Sequence, residues 1–344
     1  MKLSTQLGYN KSLKETAQEA VRLEEAGIDL VWVAEAYGFD AVSLMGYLAA
    51  VTDRIEIASG ILPVYTRTPT LLAMTAAGVD ALSDGRAVLG LGASGPQVIE
   101  GFHGVPYDKP LTRTREVIEI CREVWKRERV TYEGKAYTLP LPPEQGTGLG
   151  KPLKMITHPV REHIPIYVAS LGPKNVEMTA EVADGWLPIF YVPEKASSVW
   201  GDDLARGAAK RSADLGPLEV VAGGMVAIGE EDEVKGIRDF ARPMVALYVG
   251  GMGAKGKNFY NDLVKRYGYE EEAEKIQDLY LDGKKDEAAA LVPDELLEAT
   301  SLCGPEGYIK ERLAAYQEAG VTNLNVTPVG ANPAQIIEKL KSWM

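Results

Sequence analysis

Eight short apolar runs, each followed by an amphipathic stretch, spread over all 344 residues without an intervening linker, and this alternation predicts a parallel α/β barrel of the (β/α)8 or TIM type. Length and composition agree. With 46% apolar and 25% charged residues the chain can bury a large core and is not disordered.

The elements follow in order. Leu3 to Gly8 reads as a strand, and Ser12-Leu13-Lys14-Glu15 is a capping box that opens a helix to Ala26. Asp29 to Ala34 is the second strand, with Asp40 as N-cap of a helix near Ala41 to Val51. The third strand starts at Arg54; Thr68 then caps a helix that Pro69 begins and that runs to about Leu82. Asp84-Gly85 turns into the strand Arg86 to Gly92, and a fourth helix spans about Leu111 to Lys126. Here the rhythm breaks. Val130 to Leu139 reads as a hairpin turning at Glu133-Gly134, and Pro140 to Pro165 is rich in Pro and Gly, so residues 128–165 form an insertion after strand four. Strand-like Ile166 to Ala169, a helix from Pro173 and a strand near Trp186 resume the pattern. Asp184-Gly185 is the turn into that strand. Glu219 to Ile228 and Thr322 to Thr327 supply the last two strands, and Asn332 caps a final helix, Pro333 to Trp343. Residues 230–301 exceed one barrel helix and are read as extra helices after strand seven, with Gly250 to Gly256 as a mobile break. The whole chain, 1–344, is taken as a single domain.

Charge and cysteines exclude several classes of function. A formal charge of −12 argues against a nucleic-acid footprint or a polybasic membrane surface, so any anionic ligand must be held by local donors. Cys121 on an apolar helical stripe and Cys303 in a turn-like Leu302-Cys303-Gly304-Pro305 suggest neither a disulfide framework nor a metal motif. His158 and His163 in the Pro-rich insertion lack ligand spacing, so no metal is expected. The first residues, MKLSTQLGYN, lack the apolar core of a signal peptide, and no apolar run suffices to span a bilayer; a cytoplasmic protein is expected.

In a barrel of this type the chemistry sits where strands end. Arg54 to Pro69, RIEIASGILPVYTRTP, is the most informative such place, because an apolar strand runs through Ser59-Gly60 into an apolar loop with an Arg at its far end. Loops are normally polar. This one suits a wall for a flat, partly anionic ligand, although Ile61, Leu62 and Val64 taken singly also fit a core plug. Gly90-Leu-Gly92-Ala-Ser-Gly95 fits a dinucleotide fingerprint, but Pro96 and the turn Gly101 to Gly104 follow it instead of a helix, so a bulge-like strand end accounts for these glycines better. A stronger anion site is Ala169-Ser-Leu-Gly-Pro-Lys-Asn175. There Gly172 is the N-cap and Pro173 the first helical residue, so free N–H groups and the helix dipole converge, with Ser170 and Lys174 at hand.

Taken together, WVAEAYGFD after strand two, SGILPVYTRTP after strand three, GLGASG and EGFHG after strand four, VASLGPKN after strand five and AEVADGW resemble the luciferase-like superfamily of barrels. Within it, the chain looks most like the coenzyme F420-dependent oxidoreductases, including methylenetetrahydromethanopterin reductase. The resemblance spans almost the whole chain. It implies a non-prolyl cis bond at Gly60-Ile61, forming a bulge behind a flavin or deazaflavin ring. It implies cofactor contacts from Ser59, Gly60, Ile61, Leu62, Gly92, Ala93, Ser94, Ala169, Ser170, Leu171, Gly172, Pro173 and Lys174, with the phosphate at Ser170, Gly172, Pro173 and Lys174. Hydride transfer between the C5 carbon of F420 and a small organic substrate is the implied reaction, and a homodimer or higher homo-oligomer the implied assembly. Many F420-dependent relatives carry Asp-His after strand two. The matching pair here is Glu35-Ala36, and an Ala cannot donate a proton; Tyr37, His103 and Glu35 remain as candidate catalytic residues. FMN with monooxygenation is the alternative cofactor and chemistry, and a non-catalytic flavin- or deazaflavin-binding barrel a further one. A metal or Schiff-base barrel enzyme ranks lower, since no strand end offers a Lys or a cluster of His and carboxylates.

Overall fold

The structure, a computed structural model, describes residues 1–9 and 11–344. Its strands are β1 (Lys2–Leu7), β2 (Leu30–Val33), β3 (Glu56–Ser59), β4 (Ala87–Gly92), β5 (Ile166–Ala169), β6 (Gly185–Leu187), β7 (Glu219–Ile228) and β8 (Asn323–Pro328). Each pairs in parallel with the next, and β8 pairs with β1, so the eight strands close into a TIM barrel. Around it lie α1 (Leu13–Glu25), α2 (Ala41–Val51), α3 (Pro69–Leu82), α4 (Pro110–Trp125), α5 (Pro173–Val182) and α6 (Pro193–Ala208). After β7 come α7 (Glu231–Asp239), α8 (Phe259–Arg266) and α9 (Glu270–Leu281) with shorter helical pieces between and after them; α10 (Glu306–Glu318) and α11 (Pro333–Trp343) complete the ring.

The helix starts follow their capping chemistry. Ser12 and Glu15 form the reciprocal capping box of α1. Asp40 accepts the Ser43 N–H at 2.9 Å, Thr68 that of Leu71 at 3.3 Å, and Asn332 that of Gln335 at 3.4 Å. Inside the barrel Leu30, Trp32, Ala58, Val88, Tyr167 and Val221 pack as a separate buried cluster, so the interior is filled and any ligand must bind at an end.

The end where strands begin is sealed by carboxylates that accept backbone N–H groups. Glu24 takes those of Arg54 at 2.6 Å, Ile55 at 2.9 Å and Asp53 at 3.0 Å. Asp80, fully buried, accepts from Ala87 N at 3.1 Å and is held by Arg161 at 2.5 and 3.2 Å. Asp184 accepts from Ile166 N at 2.9 Å and Arg122 at 3.1 Å, and lies 2.7 Å from His163 Nε2, giving that histidine a structural partner. The Asp184-Gly185 turn thus sits on the stabilising face.

Four readings of the sequence need correction. Leu302–Gly304 is a strand, not a turn; it pairs with Val226 to Ile228 on the outside of β7 and buries Cys303. Pro96–Ile99 does form a helix, with Gly95 as its N-cap, but only of one turn. The break expected over Gly250 to Gly256 starts later, at Met252: Leu247–Gly251 continues the preceding helix as a π turn, and a Cβ on Gly250 would stand 2.4 Å from Tyr280 Cβ. The hairpin is shorter than read. Tyr132–Glu133 pairs with Thr138–Leu139, and the carboxylate of Glu116 gathers the N–H groups of Lys135, Ala136 and Tyr137 in the turn at 2.7 to 3.0 Å.

Candidate active site at the strand ends

The mouth of the barrel is organised by an extra residue in the third strand. Ala58 pairs with Val88 and Leu62 with Leu91, so four steps on one strand oppose three on the other, which is a β-bulge. The Gly60-Ile61 bond within it is cis. Ile61 packs over Gly92, where a Cβ would come within 3.0 Å of its side chain, and Ala169 borders the same spot. Gly60, Ile61, Gly92, Ala93 and Ala169 are thereby brought together as a floor of mostly small residues. Ser94 follows with φ of 57°, and its carbonyl accepts the Tyr107 hydroxyl at 3.1 Å.

Three of the expected contact residues point elsewhere. Ser59 is fully buried, donating to Gly90 O at 2.8 Å and accepting from Gly90 N at 2.9 Å, so its hydroxyl ties β3 to β4 and does not reach the mouth. Leu62 is fully buried in the core. The Ser170 hydroxyl lies 2.8 Å from Thr179 Oγ1, whose own proton goes to Asn175 O at 2.7 Å; Ser170 therefore donates to Thr179 and has no proton left for a phosphate.

The rest of the strand-five loop suits an anion. Gly172 is the N-cap of α5 and Pro173 its first residue. Among the described residues the N–H groups of Gly172 and Lys174 meet no acceptor, and Lys174 is exposed without a carboxylate partner. Leu171 is fixed from behind, its carbonyl accepting Trp200 Nε1 at 3.2 Å. Gly172 packs closely against Phe259, whose ring would stand 3.2 Å from a Cβ at that position.

Of the candidate catalytic residues, Glu35 is engaged elsewhere. Its carboxylate receives a two-pronged grip from Arg67 at 2.5 and 2.9 Å and the Ala41 N–H at 2.9 Å, with both side chains largely buried. Arg67, the Arg expected to face an anionic ligand, is thus neutralised, and the bonds to Glu35 hold its guanidinium above the ordinary range. This pair fixes the strand-two loop against the strand-three loop. Tyr37 and His103 both stand against Phe102, with ring centroids 6.2 and 5.1 Å from it. Neither side chain hydrogen-bonds to another described residue.

Sequence reasoning missed the tyrosines that complete the mouth. Tyr248 and Tyr260, at a centroid distance of 4.8 Å, come from the helices after β7, and Tyr248 meets Phe190 from the strand-six loop at 5.6 Å. Burial pushes the Tyr260 phenol up to about 12 and raises that of Tyr9, which also feels Tyr248, Glu35 and Tyr37. Tyr9 was visible as a strand end; the other two lie in an apolar run that reads only as helix. No group of three or more His, Cys, Asp or Glu side chains among the described residues is placed to hold a metal ion, and no helix among them is long and apolar enough to cross a membrane.

The barrel is filled inside, its third strand carries a bulge under the mouth, and an open helix N-terminus lies beside it, on the frame of a (β/α)8 barrel. The luciferase-like monooxygenase family matches residues 1–323, and the chain belongs to that family; it is an oxidoreductase. A protein of Mycobacterium tuberculosis named for coenzyme F420-dependent oxidoreductase activity is 42% identical over 348 residues, covering 99% of either chain. The 5,10-methylenetetrahydromethanopterin reductase of Archaeoglobus fulgidus is 29% identical over 323 residues, 92% of this chain and 90% of that one. Among solved structures, the F420-dependent tetrahydromethanopterin reductase of Methanopyrus kandleri has the same fold, with a TM-score of 0.80 at 24% identity over 98% of this chain and 96% of that one.

Proposed function

We propose that the protein is a coenzyme F420-dependent oxidoreductase that moves a hydride between the deazaflavin and a small organic substrate. The observation that carries this reading is the pairing of the Gly60-Ile61 bulge with the unengaged N–H groups of Gly172 and Lys174, in a chain so similar to one named for F420. The residues present fit the group. Gly60, Ile61, Gly92 and Ala169 offer a small, apolar floor to a planar ring, and Gly172, Pro173 and Lys174 offer a phosphate cradle with a cation. When bound, F420 supplies a hydride donor or acceptor at C5. The chain's part is to orient substrate against the ring and exclude water, with Tyr37 or His103 holding the proton and the Glu35–Arg67 pair positioning the loop that carries Tyr37.

Titrating F420 and FMN separately into the protein, followed by fluorescence quenching, tests the reading. F420 is expected to bind more tightly, and Lys174→Ala to weaken it by about 1.5–3 kcal/mol, roughly 10- to 150-fold. Tight FMN binding with no response to F420 would overturn the proposal in favour of the flavin monooxygenase reading for which the family is named.

The assembly is proposed to be a homo-oligomer joined through α2 and α3. These adjacent helices carry no exposed charge: α2 has no ionisable group but a tyrosine, and the one charged residue of α3, Asp80, is buried. Tyr47, Val51, Leu71, Met74 and Leu82 are exposed along them in a chain of net charge −12. An apolar face of that kind is self-complementary across a two-fold axis. Sedimentation is expected to give a dimer or larger species, and Leu71→Glu with Met74→Glu a monomer; a wild type that sediments as a monomer overturns this. Cys121 and Cys303, both free and buried, fit the reducing cytoplasm.

A further inference from the structure

We propose that the substrate is an uncharged, flat, hydrophobic molecule, an inference that rests on the F420 reading above and concerns the opposite side of the same mouth. Exposed aromatic rings are not scattered over this protein. Tyr9, Tyr37, Phe39, Phe102 and Phe259 are 61, 68, 74, 66 and 63% exposed, and all five lie on loops or helix starts at the C-terminal end of the barrel. Among the other aromatic residues described, Phe240 at the end of α7 and, to a lesser degree, Tyr47 on the α2 face are exposed. A cluster of exposed aromatic rings at the end of the barrel where a ligand must enter marks a binding surface for flat molecules.

The rings border the mouth on two sides. Tyr37 meets Phe102 at 6.2 Å, the Tyr9 ring reaches within 3.8 Å of the position a Cβ would take on Gly38, and Phe259 borders Gly172. Tyr260, next to Phe259 in the chain, meets Tyr248 edge-on at 4.8 Å.

Charge then decides the class of ligand. Nearly every cation on these loops already has an anionic or carbonyl partner: Lys11 pairs with Glu19 at 2.6 Å, Arg67 with Glu35 at 2.5 Å, Arg113 with Asp108 at 2.7 Å, and Lys255 with Asp278, while Lys109 donates to Lys135 O at 2.9 Å. Lys174 and Lys257 lack one among the described residues, and both belong to the cradle side of the mouth: Lys174 follows Gly172 and Pro173, and Lys257 lies two residues before Phe259, which borders Gly172. An anionic substrate on the Tyr37 and Phe102 side would find no counter-charge in a protein of net charge −12. A cationic one would find aromatic faces, but Glu35 is neutralised by Arg67, and Asp40 is turned to its Ser43 cap. Flat apolar contact with the rings, and one polar group for the proton donor, remains.

The test uses a neutral bicyclic enone together with its carboxylate and its trimethylammonium derivatives, each measured for binding by calorimetry with F420-loaded and with cofactor-free protein. The neutral probe is expected to bind the loaded protein at least about tenfold more tightly than either charged form, and Phe102→Ala to erase most of that advantage while F420 affinity stays within about twofold. Equal or tighter binding of either charged derivative overturns the proposal, as does an unchanged preference in both Phe102→Ala and Phe39→Ala. Because F420 affinity is read separately by its own fluorescence, a protein that refuses F420 yet prefers the neutral probe refutes the cofactor reading and leaves the substrate class standing.

Discussion

At the end where its strands begin, the barrel is closed by carboxylates that each grip the backbone where a strand starts; at the end where they finish, rings stand bare in solvent. Asp80, Glu24 and Asp184 accept N–H groups from the starts of β4, the segment entering β3, and β5. Tyr9, Tyr37, Phe102 and Phe259 satisfy nothing in the folded chain and leave apolar surface exposed. Stability is thus concentrated away from the place where a ligand must enter, and the mouth is free to vary without unfolding the protein.

The sharpest challenge to this division is Asp80→Ala. Removing a fully buried carboxylate strands the Arg161 guanidinium and the Ala87 N–H, with an expected loss of about 3–5 kcal/mol in urea unfolding and little change in F420 affinity for the folded fraction. A loss below about 1 kcal/mol would show that the closed end is not where stability resides.

At the mouth the opposite pattern is expected. Tyr37→Phe or His103→Ala, whichever removes the proton donor, should lower turnover by about 10²- to 10⁴-fold while the unfolding midpoint and cofactor affinity hold. Full activity in both single variants and the double variant, on a substrate that needs protonation, would assign the proton to water.

The smallest effect belongs to Glu24→Gln, about 1 kcal/mol at neutral pH, because neutral acceptors bond N–H groups more weakly than a carboxylate. It carries a pH signature. Burial pushes the Glu24 carboxyl up, but the N–H donors of Arg54, Ile55 and Asp53 outweigh it and hold the folded group below its ordinary value. Its contribution is therefore present above the unfolded pKa, about 4.3, and is lost as pH falls through the lower folded value. Unfolding measured from pH 7 downward should show wild type and variant converging in acid; a gap that stays constant would assign the effect to packing alone.

The framework was legible in the sequence because its signals are local. Ser12 with Glu15, Asp40, Thr68 with Pro69, and Asn332 announce helix starts within four residues of themselves, and each does what it announces. The bulge at Gly60-Ile61 was legible only through resemblance. What stayed hidden was non-local: Arg67 reads as a ligand-facing cation until Glu35, far away in sequence, is folded onto it, and Ser170 reads as a phosphate donor until α5 brings Thr179 under it. Leu302 to Gly304 fails as a strand prediction because three residues ending in Gly-Pro carry almost no strand signal; the exposed edge of β7 recruits them.

That small outer strand has an evolutionary corollary. Residues 230–301 leave the barrel after Ile228 and return at Leu302, and the two ends of the excursion run side by side: Leu302 is in register with Val226 and Gly304 with Ile228, and the Gly229 N–H donates to Gly304 O at 3.1 Å. The excursion is clasped at its neck like a cartridge in a holder, its returning strand lying directly beside the last three residues of β7, about one strand spacing, roughly 4.8 Å, away. A different cartridge of any length that keeps the clasp can be seated without disturbing the closed barrel. Since Tyr248, Phe259 and Tyr260 ride on this one, exchanging it between related chains offers a way to transplant substrate preference while the bulge and the Gly172 cradle stay with the host.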